Sequence, residues 1–393
     1  MIARKVAQKI ALLRTQFPII ALIGPRQSGK STLSKMLFPS YTYISLEDPD
    51  TRMFAETDAR GFLAKYTAGE GVIFDEIQRV PQLLSYLQGI VDAEPRQGFF
   101  VLTGSQNFLL HSAITQTLAG RVAICSLLPF SVEELHTAHL DNAPLDQTLF
   151  RGMYPRLFDL GRNPADWYQS YIATYVERDV RLIQQIQDLD QFQRFLALCA
   201  GRIGQLLNLS SLANDAGISV NTAKAWLSLL GTSFITFTIH PHFKNFSKRL
   251  IKAPKLYFYD TGLACALLRI TSPEQLSMHY LRGGLFESFV VSELQKYFFN
   301  RGARPPLYFW RDKTGHEIDV IIEYAGGLLP VKIKSGSTIN ASYFDELKYW
   351  NKLSETDQKQ NIVLYGGSDE QRRSTGHILS WRSLATPDDW LHV

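Results

Sequence analysis

The chain has 393 residues, of which 45% are hydrophobic and 20% charged, and its formal net charge is +4. This composition indicates a globular protein of two or three domains, and no apolar run approaches the roughly 20 residues that span a bilayer. Three widely spaced cysteines suggest neither a disulfide framework nor a zinc site, and the basic amino terminus lacks a small-residue cleavage site. We expect a cytoplasmic protein without membrane contact.

The first motif along the chain is a phosphate loop, which follows an apolar strand and precedes a helix-forming segment. In such a loop the backbone N–H groups point at phosphate oxygens, a lysine reaches the β- and γ-phosphates, and a serine hydroxyl binds Mg²⁺. The predicted nucleotide-binding residues are Gly24, Pro25, Arg26, Gln27, Ser28, Gly29, Lys30, Ser31 and Thr32. The first domain has no Asn-Lys-x-Asp-like guanine reader, so the expected cofactors are ATP and Mg²⁺.

A second apolar strand, over residues 71–76, ends in two carboxylates. Asp75 is predicted to hold Mg²⁺ together with Ser31, as the acidic residue of this strand does in P-loop enzymes. Glu76 is predicted to be the general base for the attacking water. Lys30, which reaches the β- and γ-phosphates, is predicted to be catalytic as well. The pair of motifs predicts hydrolysis of the nucleotide.

Two further polar positions are candidates for the same site. The strand over residues 99–102 is followed by Ser105, Gln106 and Asn107, any of which could bind the γ-phosphate or the lytic water. Arg121, just before the strand over residues 122–125, could meet the transferred phosphate in cis or across a subunit boundary. A plain surface arginine is the alternative.

Strand and helix signals alternate up to about residue 135, which predicts a largely parallel sheet covered by helices. The polar stretch 136–146 is interpreted as a loop or lid. Residues 205–231 then show a helix-turn-helix pattern, in which Ser219 or Asn221 would cap the second helix. A strand over residues 234–239 follows and suggests a winged helix, used either for DNA binding or only for packing.

The middle of the chain is strongly basic. Residues 202–259 hold seven Lys or Arg side chains and one acidic residue, which gives +6, more than the whole chain carries. The densest run consists of Lys244, Lys248, Arg249, Lys252 and Lys255. This charge predicts contacts to nucleic-acid phosphates, with DNA favoured, while a protein-interaction switch driven by ATP is the alternative.

From residue 285 the pattern changes to a helix over residues 285–294 followed by three strands. These strands are predicted at 307–311, 316–323 and 328–334. Glu287, Asp319 and Lys334 would converge in this arrangement, which is the layout of a metal-dependent phosphodiesterase core.

The order of these parts resembles a bacterial and archaeal family of AAA-type ATPases. In that family the ATPase domain is fused to a winged helix and a carboxyl-terminal domain of restriction-endonuclease-like (PD-(D/E)XK) fold. The matching stretches include residues 24–33, 75–78, 102–105, 175–180 and 248–263. The resemblance implies an α/β chain with an AAA-type P-loop domain (1–155), a helical and winged-helix domain (156–280) and an endonuclease-like domain (281–393).

One departure from the family pattern matters for function. Where the nuclease has Glu-x-Lys on its third strand, this chain has Lys332-Ile333-Lys334. An ammonium at that position removes a metal ligand and adds repulsion, and Glu317 is the one substitute ligand. We therefore predict an ATPase, able to form a homo-oligomer, that couples nucleotide state to nucleic-acid binding. Its degenerate nuclease-like site would comprise Glu287, Glu317, Asp319 and Lys334; an active ATP-regulated nuclease is the alternative.

Overall fold

The computed structural model describes residues 2–104, 117–159, 162–176, 188–242, 252–325 and 327–391. The chain forms two compact units. The first unit comprises Met1–Phe130 with the short pieces Thr232–Phe234 and Phe298–Ala303. The second comprises Ser131–Gly231, Ile235–Tyr297 and Arg304–Val393.

The first unit is built on a five-stranded parallel sheet. Its strands are β1 (Ile19–Ile23), β2 (Thr42–Ser45), β3 (Val72–Asp75), β4 (Phe100–Gly104) and β5 (Val122–Ser126), and its helices are α1 (Val6–Leu13), α2 (Lys30–Leu37), α3 (Pro49–Thr57), α4 (Ala59–Ala64) and α5 (Leu83–Ala93). The strand order is β2-β3-β4-β1-β5. Because Ile23 pairs with Gly104 and Ser45 with Asp75, the ends of β1, β3 and β4 lie along one edge of the sheet.

The core of this unit explains why the strands read as apolar runs. Helices cover the sheet, so all five residues of β1 and of β4 are buried. One cluster packs the amino-terminal helix and the first strands against β5, and it includes Val6, Ile10, Ile20, Leu22, Leu33, Phe38, Ile73, Val101 and Leu127. The predicted parallel α/β sheet is confirmed, and its edge sets the position of the polar loops.

The second unit begins with helices. They are α6 (Val132–Thr137), α7 (Leu145–Arg151), α8 (Pro164–Tyr171), α9 (Leu189–Ala200), α10 (Leu209–Ala216) and α11 (Val220–Thr232), and a π-helical turn follows α8 at Ile172–Val176. The interpretation of residues 136–146 as a continuous loop or lid is therefore wrong, because the two ends of this stretch belong to α6 and α7. Ser131 and Glu134 form a capping box that starts α6.

The rest of the second unit is an eight-stranded sheet with its covering helices. The strands are β6 (Thr236–Pro241), β7 (Lys255–Phe258), β8 (Leu307–Arg311), β9 (Glu317–Tyr324), β10 (Gly327–Lys334), β11 (Ile362–Tyr365), β12 (Gln371–Arg373) and β13 (Gly376–Ser380). The helices are α12 (Thr261–Leu267), α13 (Pro273–Ser277), α14 (Arg282–Asn300) and α15 (Asp345–Ser354). The order is β12-β13-β11-β10-β9-β8-β6-β7, so the strands after the helix-turn-helix continue the carboxyl-terminal sheet.

The helix-turn-helix pattern is present as α10 and α11, with Gly217 between them in the left-handed conformation (φ 72°). The Ser219 hydroxyl accepts a hydrogen bond from the Thr222 N–H at 3.0 Å, so Ser219 caps α11. The winged helix and the endonuclease-like fold stay predictions, as does the division into three domains at residues 155 and 280. Among the described residues, none of the helices has the length and apolar character that crossing a membrane requires.

Candidate nucleotide site and acidic cluster

The phosphate loop connects β1 to α2 at the carboxyl edge of the first sheet. A side chain at Gly24 would lie 2.1 Å from the backbone oxygen of Leu127, so only glycine fits there. Gly29 has a φ of 95° and Gln27 a φ of 63°. Positive φ values within a short loop turn its N–H groups toward one side, which is the arrangement that binds anions. The loop geometry agrees with the predicted phosphate site.

The loop lysine is buried inside this turn. The Lys30 ammonium donates hydrogen bonds to the backbone oxygens of Gly24 at 3.0 Å and Pro25 at 2.8 Å. The side chain that is predicted to contact the β- and γ-phosphates is thus held at the loop by its own backbone. Of the remaining predicted loop residues, Arg26 is half-buried and Thr32 is exposed.

Asp75, at the end of β3, is the centre of a hydroxyl cluster. The Ser31 hydroxyl lies 2.9 Å from both carboxylate oxygens, and the Tyr43 hydroxyl donates to Oδ2 at 2.5 Å. The Thr103 hydroxyl donates to Oδ1. Burial raises the pKa of Tyr43, and the hydrogen bond to Asp75 raises it further, so Tyr43 stays a neutral donor. The predicted pairing of Ser31 and Asp75 is therefore present in the geometry.

Tyr43 and Thr103 were not candidates in the sequence. Tyr43 projects from β2 and Thr103 from β4, the two neighbours of β3 in the sheet. The available signal was their position near the ends of predicted strands that flank the acidic strand. A third unforeseen residue is Arg4, whose guanidinium donates to the backbone oxygens of Ser28 at 2.8 Å and Leu128 at 2.5 Å. Arg4 thereby ties the loop to the segment after β5.

The donor set of this cluster suits a magnesium ion. Ser31 and Asp75 offer hydroxyl and carboxylate oxygens, which are the ligands that this hard cation prefers. In the part of the chain that the structure describes, the donors to Asp75 are three neutral hydroxyls, and no ion pair to a lysine or arginine is formed. The carboxylate charge is therefore available to a cation.

Glu76 follows Asp75 directly and has a left-handed backbone (φ 58°, ψ 44°). Its carboxylate accepts a hydrogen bond from the amide of Gln78, which is buried. Ser105, Gln106 and Asn107, which the sequence offered as γ-phosphate ligands, lie outside the described residues.

Arg121 does not lie near the phosphate loop. It precedes β5, and because Ile19 pairs with Val122, it lies at the amino-terminal edge of the sheet, about five residues or ~17 Å of strand from the loop. Its guanidinium pairs with Asp92, at 2.8 Å between Nη2 and Oδ2. The predicted role in cis is therefore wrong on geometric grounds, while a role across a subunit boundary stays a prediction.

The second unit brings three predicted acidic residues together. Carboxylate oxygens of Glu287 on α14 and of Glu317 and Asp319 on β9 all lie within 4.8 Å of one another. The separation of two residues along β9 places Glu317 and Asp319 on one face of the sheet. The structure thus brings together Glu287 and Asp319, which were predicted to converge, and Glu317, which was predicted as the substitute ligand.

Two buried lysines neutralise this acidic cluster. The Lys255 ammonium contacts Glu287 at 2.8 Å and also pairs with Glu317, and the Lys332 ammonium lies 2.9 Å from Asp319. Tyr257 donates to Glu287 at 2.7 Å. Arg311 pairs with the second oxygen of Glu317 at 2.9 Å. Three carboxylates thus face three cationic side chains.

The pKa directions agree with these pairings. Burial opposes ionisation of Asp319, but Lys332 and Lys255 outweigh it and hold the pKa of Asp319 below its ordinary value. Burial also disfavours the charge on Lys255, yet Glu287 and its neighbours raise the pKa of Lys255 above the ordinary value. For Glu287 burial outweighs Lys255, and its pKa is raised.

The residues of this cluster do not fit a divalent metal ion, because ammonium groups already occupy the space between the carboxylates. Lys334, which was expected to join the cluster, instead places its ammonium 5.9 Å from the centre of the Tyr343 ring. In the described ranges no ion pair connects Lys334 to the three acids.

Lys255 also corrects the expected basic surface. The sequence placed it in a run of phosphate-contacting side chains, but it is only 2% exposed and turned toward Glu287. Lys252 is exposed, whereas Lys244, Lys248 and Arg249 lie outside the described residues. On α11 the exposed side chains include Asn221 and Lys224.

The sheet order, the loop and the acidic strand have the arrangement of a P-loop domain. Residues 16–136 match a family model described as an AAA domain. Residues 142–274 match a domain of unknown function, DUF8612, and residues 282–384 match another, DUF4143. The match supports the expected AAA-type domain over residues 16–136, and hydrolysis of ATP stays a prediction.

Relatives and solved structures are similar over larger parts of the chain. Uncharacterized protein Rv2008c of Mycobacterium tuberculosis and uncharacterized protein Mb2031c of Mycobacterium bovis are each 29% identical over 341 residues, which cover 86% of this chain and 75% of the relative. The Walker-type ATPase PABY2304 of Pyrococcus abyssi is 16% identical, with a TM-score of 0.45, over 67% of this chain and 94% of that protein. The Thermotoga maritima RuvB Holliday junction branch migration motor is 20% identical, with a TM-score of 0.30, over 60% of this chain and 89% of that protein.

Proposed function

We propose that the chain binds ATP with Mg²⁺ at the phosphate loop and hydrolyses it. The observation that carries this proposal is the Ser31 hydroxyl within 2.9 Å of both Asp75 oxygens, beside the buried Lys30. Ser31 and Asp75 would hold Mg²⁺, which when bound neutralises charge on the phosphates. Lys30 binds the β- and γ-phosphates, and Glu76 accepts a proton from the attacking water.

The test is phosphate release by purified wild-type chain and two variants. Lys30→Ala should abolish nucleotide binding, because it removes the charge that meets the phosphates. Glu76→Gln should bind ATP but stall turnover by a factor of about 100 or more, as loss of a general base does. Glu70→Gln, at an exposed acid of the same unit, is the matched control. Unchanged phosphate release in Glu76→Gln would remove Glu76 as the base.

ATP is proposed over GTP because the first domain lacks a recognisable guanine reader. Competition between the two nucleotides for the wild-type chain decides this point. A GTP affinity equal to or above that for ATP would overturn the choice.

We further propose that the second unit binds nucleic acid, DNA in preference to RNA, mainly through charge. The support is the exposed Lys224 and Lys252, the former on the second helix of the helix-turn-helix. They belong to residues 202–259, whose formal charge of +6 becomes +5 when the buried Lys255 is left out. Nucleotide state would then alter this binding. The competing class is an ATP-driven protein-interaction switch for which the basic surface is incidental.

Salt titration separates these two classes. If phosphate contacts dominate, the logarithm of the binding constant should fall linearly with the logarithm of the salt concentration. Lys224→Ala or Lys252→Ala should each reduce the magnitude of that slope by about 1. Lys359→Ala, exposed and outside the basic block, is the control. If the chain has no measurable DNA or RNA affinity at low salt, the switch is favoured.

Nuclease activity is proposed to be absent, because Lys332 and Lys255 fill the acidic cluster. Wild-type chain should not cut plasmid DNA in Mg²⁺ or Mn²⁺, and Lys332→Glu is the variant that restores the family pattern. Cleavage by wild-type chain that Asp319→Ala stops would show an active ATP-regulated nuclease instead.

The cytoplasm is the proposed compartment, supported by Cys125, Cys199 and Cys265, which are all buried free thiols. A homo-oligomer is proposed, in which Arg121 of one subunit would meet the phosphate bound by another; a plain surface arginine paired with Asp92 is the alternative. Mixing Arg121→Ala with Lys30→Ala chains should restore part of the activity if Arg121 acts in trans.

A further inference from the structure

The turn after β3 contains two unfavourable local features side by side. Glu76 adopts φ 58° and ψ 44°, a region that residues other than glycine rarely populate. Two residues later, the Gln78 side chain is only 8% exposed, and its amide oxygen is buried without a hydrogen-bond partner among the described residues. Features of this kind cluster at functional sites, where the surroundings hold a side chain in a required place.

The Gln78 amide has a defined partner. Its Nε2 donates to Oε2 of Glu76, the carboxylate that directly follows the Asp75 cluster. Residues Ile77–Arg79 form a short 3-10 turn, and the Glu76 side chain makes no capping hydrogen bond to that turn. The contact is therefore between two side chains, and it restricts where the carboxylate can lie.

An ordinary structural role explains this geometry poorly. A glutamine that served only to fill space would be replaced there by an apolar side chain without leaving a buried oxygen unsatisfied. A glutamine that served only the turn would donate to its backbone. What the buried amide does instead is fix one oxygen of Glu76 while the left-handed backbone sets the direction of that side chain.

We propose that Gln78 is the positioning residue for the general base Glu76. This inference rests on the proposed ATP hydrolysis. In that step the water oxygen forms a bond to the γ-phosphorus, the bond from that phosphorus to the β–γ bridging oxygen breaks with its electron pair leaving on ADP, and the water proton passes to Glu76. The hydrogen bond from Gln78 keeps the Glu76 carboxylate in one orientation, so that the proton is accepted from a constant direction.

The experiment compares steady-state ATP hydrolysis and ATP affinity in the full-length wild-type chain, Gln78→Leu and Gln78→Met. Both substitutions keep most of the volume and remove the donor. Gln82→Leu, at an exposed glutamine just before α5, is the matched control. We expect kcat to fall at least tenfold in both Gln78 variants while KM and the affinity for ATP change less than threefold, with Gln82→Leu unchanged.

A second arm asks whether Gln78 acts through Glu76. In a Glu76→Gln background, Gln78→Leu should lower the residual rate by less than twofold, because the carboxylate to be positioned is already gone. A purely structural role predicts the same fold loss in both backgrounds, together with weaker ATP binding, and would overturn the inference.

The outcomes separate this inference from the proposed function. If wild-type chain hydrolyses no ATP, the proposed function fails and the inference fails with it. If wild-type chain is active and kcat of Gln78→Leu and Gln78→Met stays within twofold of it, only the role of Gln78 is overturned.

Discussion

Two groups of acidic side chains in this chain are held in opposite ways. In the first unit Asp75 accepts hydrogen bonds from Ser31, Tyr43 and Thr103, all neutral hydroxyls. In the second unit the carboxylates of the acidic cluster face ammonium and guanidinium groups, the closest being those of Lys255 and Lys332. Both groups are largely buried.

The difference teaches how to recognise a cation site from its donors. Hydroxyl groups satisfy the lone pairs of a carboxylate without cancelling its charge, so the charge of Asp75 stays available to the proposed metal ion. An ammonium cancels the charge and fills the space, so the cluster of Glu287, Glu317 and Asp319 is complete without a metal. Judged by the number of carboxylates alone, the acidic cluster of the second unit would be the better cation site. The charge of the side chains that contact the carboxylates reverses that order and favours Asp75.

The largest expected effect comes from removing one built-in cation. Lys332→Met leaves Asp319 buried without its ammonium partner, and such a change costs about 3–5 kcal/mol of unfolding free energy. All six tryptophans lie in the second unit, so denaturant unfolding followed by tryptophan fluorescence reports on that unit.

The control for this prediction is Lys348→Met, since Lys348 pairs with Asp345 at 3.8 Å on the exposed face of α15. An exposed pair contributes about 0–1 kcal/mol, so this variant should unfold close to the wild-type midpoint. Equal losses in Lys332→Met and Lys348→Met would contradict the view that the buried lysine is a built-in counter-ion.

The second expected effect concerns the proposed Mg²⁺ site in the first unit. Asp75→Asn keeps the shape of the side chain but removes the charge that would hold Mg²⁺, so ATP hydrolysis should fall by about 100-fold or more. Asp319→Asn, the same substitution in the acidic cluster, should leave the specific ATPase activity of the folded protein within about twofold. Steady-state phosphate release measures both, and a loss of activity confined to Asp319→Asn would invert the assignment of the two sites.

The sequence predicted the first site better than the second for a physical reason. Lys30, Ser31 and Asp75 belong to contiguous motifs whose local geometry is dictated by the strand, the loop and the helix around them. Lys255 is different, because a buried lysine and an exposed one look alike in a basic run, and only the pairing of β7 with β6 places it in the sheet that faces Glu287.

A signal for Lys255 did exist in the sequence. Three carboxylates predicted to converge in a chain without the usual metal ligand set need counter-charges, and Lys332 alone supplies one. Tyr43 and Thr103 were missed for a related reason, since one hydroxyl near a strand end does not reveal which neighbouring strand it faces. The strand order, which is a tertiary property, decides that they meet Asp75.

The third prediction sharpens the comparison by converting one kind of site into the other. Lys332→Glu should allow Mn²⁺ to bind the acidic cluster, and a ligand at ten times its Kd raises unfolding free energy by about 1.4 kcal/mol. Placing the substitution in an Asp75→Asn background removes the metal contribution of the first unit. Lys334→Glu, two residues along β10 and outside the acidic cluster, is the matched control and should gain nothing. Equal stabilisation of both variants by Mn²⁺ would show that added negative charge, not the geometry of the cluster, binds the ion.

The smallest expected effect is a dependence on pH. The pKa of Asp319 lies below its ordinary value of 3.8, so its pairing contributes stability above that pH, and this contribution is lost as the pH falls through the lowered pKa. Without Lys332 the carboxylate takes up a proton at a higher pH, and the cost of leaving it unpaired disappears there. The difference in unfolding free energy between wild-type chain and Lys332→Met should therefore shrink by on the order of 1 kcal/mol between pH 7 and pH 3.5.

The raised pKa of Glu287 acts in the opposite direction, but Glu287 is present in both chains and its main partner is Lys255, so most of its contribution cancels in the difference. Tryptophan-detected unfolding at the two pH values measures this quantity, with Lys348→Met again as the control. A difference that stays constant with pH would mean that Lys332 stabilises the sheet through packing of its alkyl chain and not through the charge of Asp319.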